Sequence, residues 1–147
     1  MKALITGASS GIGLEMARIL SREGFELILV AREKEKLQKV QEELGKNVKI
    51  VVADLSNESK LKELYVLCKN DKIDVLINNA GFGDCGKFTE TDLSKELEMI
   101  DVNIKAVHVL TKLFLKDMKK RNSGYILNVA SMAAFAPGPL MATYYST

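Results

Sequence analysis

The chain has 147 residues, and its 21 Lys and Arg against 19 Asp and Glu leave a formal charge of only +2, which offers nucleic acid or an anionic membrane no basic surface to bind. A composition of 47% apolar residues is ordinary for a soluble globular protein, and the length suits one domain that buries about two-thirds of its unfolded surface. Two isolated cysteines, Cys68 and Cys85, lack the C-x-x-C spacing of a metal site and fit a reducing compartment, so a cytoplasmic location is expected.

Residues 2–6 form a short apolar run that reads as a strand. It is broken too early, by Thr6 and Gly7, to be the hydrophobic region of a signal peptide. The strand runs straight into Thr6-Gly7-Ala8-Ser9-Ser10-Gly11-Ile12-Gly13, which opens an amphipathic helix over 11–22. Glycines there let the backbone turn sharply and approach a ligand closely, while the helix N-terminus offers free N–H groups and a positive dipole end to a pyrophosphate. A glycine-rich turn with no ligand is the plainer reading, but the position after the first strand of an α/β pattern favours a nucleotide. No Gly-Lys-Ser/Thr follows, so the turn is not a P-loop.

Further strands at 25–31, 48–53, 73–78 and 125–130 alternate with helices at 33–45, 57–70 and 92–121. The strands do not alternate strictly between apolar and polar residues, as suits strands covered on both faces, and the short connections predict a parallel sheet. One α/β domain follows, with no internal repeat and no linker. No segment reaches the ~20 apolar residues of a membrane span.

At 100° per residue, helix 92–121 places Asp101, Lys105, His108, Lys112, Lys116 and Lys119 in one narrow polar stripe. His108, the only histidine, is therefore expected in solvent and not as a ligand or base. Met99, Ile100, Val107, Leu110, Leu113, Phe114 and Met118 fill most of the rest, so the helix needs cover on two sides. Asn103 points away from the stripe, and a buried amide must be hydrogen-bonded to something specific: either a neighbouring backbone or a polar site at the sheet edge.

The glycine spacing is G-x-x-x-G-x-G, not the G-x-G-x-x-G of the common dinucleotide fingerprint. With Thr6 it resembles the T-G-x-x-x-G-x-G of the short-chain dehydrogenase/reductase family. Four further segments resemble that family in order: Val52-Ala53-Asp54-Leu55 at the third strand, Asn78-Asn79-Ala80-Gly81 at the fourth, Asp101-Val102-Asn103 in the long helix, and Ser131 closing the fifth strand with Tyr144 at the family's spacing beyond it. The resemblance implies a Rossmann-like doubly wound parallel sheet in the order 3-2-1-4-5, with residues 1–147 as a single dinucleotide-binding domain. It implies a nicotinamide cofactor held by Gly7, Ser9, Ser10, Gly11, Ile12 and Gly13, with Asp54 and Leu55 at the adenine and Asn79, Ala80 and Gly81 bordering the cofactor.

The same resemblance implies hydride transfer to or from a small-molecule carbonyl or alcohol. Ser131 and Tyr144 would donate hydrogen bonds to the substrate oxygen, and Asn103 would help hold a proton-relay water. A free tyrosine, with a pKa of about 10, is a poor base near neutrality; in the family a lysine four residues on favours the phenolate by its charge. That position follows Thr147, as would the family's later strands and substrate loop, so the chain reads as C-terminally truncated. Strand 125–130 is then expected to be an unprotected sheet edge, and the isolated chain to associate or lose stability.

The end of the second strand chooses the dinucleotide, since an acid there binds the 2′-hydroxyl of NAD and an arginine accommodates the 2′-phosphate of NADP. Val30-Ala31-Arg32-Glu33 favours NADP(H) over NAD(H) through Arg32, although Arg32 could simply start a charged helix and Glu33 stands one residue away. The alternative to an enzyme is a non-catalytic dinucleotide-binding fragment or sensor. An isomerase or epimerase on a related scaffold fits the glycine spacing less well. The apolar segment 132–141, with Pro137 and Pro139, reads as a substrate wall or as a packed loop, and a homo-oligomer is compatible with the apolar long helix.

Overall fold

Short runs of Ile, Leu and Val form five strands in a computed structural model that describes residues 1–147. They are β1 (Lys2–Thr6), β2 (Glu26–Ala31), β3 (Val48–Val52), β4 (Val75–Asn78) and β5 (Tyr125–Asn128). Between them lie α1 (Gly11–Arg22), α2 (Lys34–Leu44), α3 (Glu58–Cys68), α4 (Leu93–Ile100) and α5 (Val107–Arg121), with α6 (Ala142–Ser146) last. All four pairings are parallel and the order is β3-β2-β1-β4-β5, the expected doubly wound arrangement.

Register explains why the strands read as unbroken apolar runs. Ala3, Leu4 and Ile5 pair with Leu27, Ile28 and Leu29 on one side and with Val75, Leu76 and Ile77 on the other. Successive side chains point to opposite faces, and both faces are covered. Leu4, Ile28, Val30 and Leu76 pack with Leu61 and Leu64 of α3 and Leu110, Phe114 and Met118 of α5. Ala3, Ile5, Leu27, Leu29 and Ile77 pack with Ala17 of α1 and Leu37 and Val40 of α2. Each fully buried Leu or Ile in these layers contributes about 1.5–3 kcal/mol. No helix is long and apolar enough to cross a membrane.

Strand β5 stands at the sheet edge. Ile126 packs into the layer shared with α5, but Tyr125 and Leu127, on the opposite face, are 67% and 45% exposed because no helix covers them.

Two expectations need correction. Strands 48–53 and 125–130 stop earlier: one further backbone bond each, Ala53 N–H to Ala31 O and Val129 N–H to Asn78 O, ends the ladder. Asp54 and Ser131 therefore stand on loops beyond the strands. The single helix 92–121 is instead three pieces in one rod: α4, a π-helical turn over Asp101–Ala106, and α5. A π turn takes up an extra residue, so the fixed 100° period fails there. Downstream the stripe holds, with His108, Lys112, Lys116 and Lys119 exposed. Upstream, Asp101 and Lys105 are half-buried and paired to each other, while the apolar Ile100 and Ile104 are exposed.

Candidate active site

The strand order reverses at β1 and β4, so a crevice opens at the carboxyl ends of these strands, the usual ligand position in open α/β sheets. A cleft of about 870 Å³ lies there. Its wall is built from the turn after β1, the end of β2, the loop after β4, the π turn, and the segment that follows β5.

The turn after β1 is fixed by contact with the end of β4. Gly7 has φ +66°, and a Cβ on it would stand 2.8 Å from Ala80 Cα and 2.9 Å from Asn79 Nδ2, so no other residue fits. A Cβ on Gly13 would come within 2.5 Å of Gly7 O and of Asn79 Nδ2. The Asn79 amide donates to Thr6 O at 3.0 Å and Gly7 O at 3.3 Å. Thr6 completes the junction: its hydroxyl accepts from Asn79 N and Ala80 N, both at 3.0 Å, and donates to Ile77 O at 3.3 Å. Three bonds saturate that hydroxyl.

Thr6 was readable only as part of the glycine motif; its clamping role depends on residues more than seventy positions away. The helix that follows is left open at its start. Ser10 stands at the N-cap of α1 with no side-chain cap bond, and the first turn carries no acid. By contrast, α3 and α4 are capped by Asn57 and Asp92.

Gly7, Ser9, Ser10, Gly11, Ile12, Arg32, Leu55, Asn79, Ala80, Gly81, Asn103, Ser131 and Tyr144 all lie on the wall of this one cleft. Two expected residues do not. Gly13 is buried under the turn, where the start of α1 packs on the Gly7 carbonyl and the Asn79 side chain. Asp54 stands off the wall, its carboxylate accepting from Ser56 N at 3.0 Å and Ser56 Oγ at 2.8 Å to shape the loop after β3.

Asn103 sits in the π turn, half-buried. Its Oδ1 accepts from Phe82 N at 3.1 Å, and its Nδ2 donates to Phe82 O and Thr147 Oγ1, both at 2.9 Å. The amide thus bonds to a neighbouring backbone while also standing on the cleft wall. Ser131 caps a 3₁₀ turn over Met132–Phe135, its Oγ accepting from Ala133 N at 3.1 Å. That bond uses an acceptor site and leaves the hydroxyl proton free to donate. The Tyr144 ring, on α6, lies beside Gly83 and edge-on to Tyr145.

Charge is arranged around the rim. Arg32 Nη1 donates to Glu98 Oε1 at 2.5 Å, and Lys36 Nζ binds Glu33 Oε1 at 2.7 Å. The Lys95 ammonium, 2.6 Å from Asp84, holds that carboxyl below its usual range and ties the loop after β4 to α4. On the cleft wall, Asn78 donates to Thr111 Oγ1 and Asn128 Oδ1 while its own Oδ1 is buried without a partner.

Fold and cleft together define a Rossmann-type protein with an open crevice at its switch point. The family model described as short chain dehydrogenase matches residues 1–147, and the chain belongs to that family. It is 35% identical over 147 residues to an uncharacterized oxidoreductase of Staphylococcus epidermidis, covering 99% of this chain and 64% of the relative. It is 40% identical to one of Staphylococcus saprophyticus, covering 98% of this chain and 60% of the relative.

Among solved structures, a short-chain dehydrogenase from Sphingobium yanoikuyae in complex with NADPH superposes with a TM-score of 0.93 at 33% identity, over 99% of this chain and 59% of that one. A closed form of serine dehydrogenase complexed with NADP+ gives 0.92 at 31% identity, over 99% and 60%. The chain thus spans somewhat under two-thirds of the length of these relatives.

Proposed function

We propose that the cleft binds NADP(H) and that the protein transfers hydride between the nicotinamide and a small-molecule carbonyl or alcohol. One observation carries this reading: Ser131 and Tyr144, from the segment after β5, share a single cleft wall with the uncapped N-terminus of α1.

The residues present fit a dinucleotide. A volume of about 870 Å³ falls in the usual ~300–1,000 Å³ of cofactor sites, and the Gly7 and Gly13 cradle brings backbone close. The free amides at Gly11 and Ile12, with the hydroxyls of Ser9 and Ser10, would hold the pyrophosphate. When bound, the nicotinamide supplies or accepts the hydride. Tyr144 then gives its hydroxyl proton to the developing oxyanion, and the free proton of Ser131 donates a hydrogen bond to the same oxygen. Asn103 is a positioning residue here, since both ends of its amide brace the Phe82 loop.

NADP(H) is preferred over NAD(H) because Arg32 lies on the wall and the charge of Glu33, which lies on the wall beside it, is paired with Lys36. The two structural neighbours in complex with NADP+ and NADPH support the same choice. A cytoplasmic location belongs to the proposal, supported by two unpaired thiols, Cys68 and Cys85.

The test is titration with NADPH and NADH, followed by nicotinamide fluorescence, with circular dichroism confirming a folded chain. Saturable NADPH binding, clearly tighter than NADH, is expected; a folded protein that binds neither overturns the reading.

A further inference from the structure

We propose that Glu98 tempers the dinucleotide preference of this cleft by competing with a ribose 2′-phosphate for Arg32. This rests on the dinucleotide reading above. Arg32, the residue after β2, lies on the cleft wall, whereas Glu98 of α4 does not. Their bond therefore holds the guanidinium to a carboxylate standing outside the cleft, across 66 positions of sequence.

The neighbouring acids have other partners: Glu33, itself on the cleft wall, pairs with Lys36, and Asp101 pairs with Lys105. Arg32 is the one ion-pair partner of Glu98. The contact is a single N–H···O bond from one of the three guanidinium nitrogens, while a phosphate can take two parallel bonds from the same fork. A 2′-phosphate can thus displace Glu98, but it must break the pair and then sit close to a freed negative charge. NAD carries an uncharged hydroxyl at that position and meets no such opposition. Glu98 accordingly narrows the advantage that Arg32 gives to NADP.

The side chains of the pair are 60% and 36% exposed, so water weakens the effect, and removing the carboxylate is expected to tighten phosphate binding by about two- to fivefold. The test compares wild-type protein with Glu98→Gln by calorimetric titration with 2′,5′-ADP and 5′-AMP, which differ only in the 2′-phosphate, and by fluorescence titration with NADPH and NADH. The expected result is a two- to fivefold gain for 2′,5′-ADP and NADPH, no change for 5′-AMP and NADH, and no gain when Arg32→Ala is already present. Unchanged or weaker binding of 2′,5′-ADP, an equal gain for NADH, or a gain that survives in the Arg32→Ala background overturns the proposal. Wild-type protein that binds neither NADPH nor NADH overturns the dinucleotide reading itself, and this proposal with it.

Discussion

Replacing Thr6 by valine keeps the shape of the side chain and removes its hydroxyl, which makes three bonds from a residue only 2% exposed. The amides of Asn79 and Ala80 lose their partner. A buried donor left unsatisfied costs about 1–3 kcal/mol, but these two residues are half-buried beside the cleft, so water restores part of the loss. The added methyl returns about 0.8 kcal/mol of apolar burial. The net expectation is a loss of about 2 kcal/mol, or roughly 4–8 °C in Tm for a domain of this size. Urea unfolding followed by circular dichroism should show a lower midpoint at an unchanged slope. Thr6→Ser keeps the hydroxyl, loses only a methyl, and should cost about 0.8 kcal/mol. A valine variant within about 0.5 kcal/mol of wild type, well below the range for an orphaned donor, would refute the clamp, as would a serine variant that costs just as much.

Gly13→Ala would set a Cβ 2.5 Å from the Gly7 carbonyl oxygen, forcing the turn to move at about 1–3 kcal/mol; NADPH titration should show at least a tenfold loss, on the order of 1.4 kcal/mol, and affinity kept within about twofold would contradict it. Burial pushes the Cys68 thiol from 9.0 up to about 11, so the folded state keeps a proton that the unfolded chain releases. Its stabilising contribution is complete below pH 9.0 and is lost as the pH climbs towards about 11. Urea midpoints across that range should fall more steeply for wild type than for Cys68→Ala, and equal slopes would exclude the effect. The uncovered face of β5 predicts self-association that rises with concentration in sedimentation velocity and is reduced by Leu127→Lys; a monomer across the whole range would count against it.

Much of the architecture was legible because the constraints were local. Ala3, Leu4 and Ile5 are buried on both faces of a parallel sheet and so leave an uninterrupted apolar run. The glycine turn was legible as a site of sharp turning and close approach, although that Gly7 is left-handed and pressed against Ala80 came only with the fold. Asn103 was legible as an amide in need of partners, although which partners lay beyond the sequence. The ends of β3 and β5 were not legible, since Ala53 and Val129 are as apolar as the strand residues before them. Nor was the Arg32–Glu98 pair, whose two charges each sit among other charged residues and meet only through the fold. The departures of Gly13 and Asp54 from the cleft wall have one cause: a motif specifies residue types, while the side a residue presents depends on the turn around it.

The π turn at Asp101–Ala106 has a consequence for how this rod can change. In a regular helix, residues 93–121 would share one angular phase, so any adjustment of the rim would drag the core with it. The surplus residue acts as a slip joint. Upstream, α4, which carries Glu98, packs against α6; downstream, α5 packs against α3, β4 and β5. Substitutions on the mouth of the cleft can therefore retune what enters it without re-indexing the packing of Leu110, Phe114 and Met118 beneath.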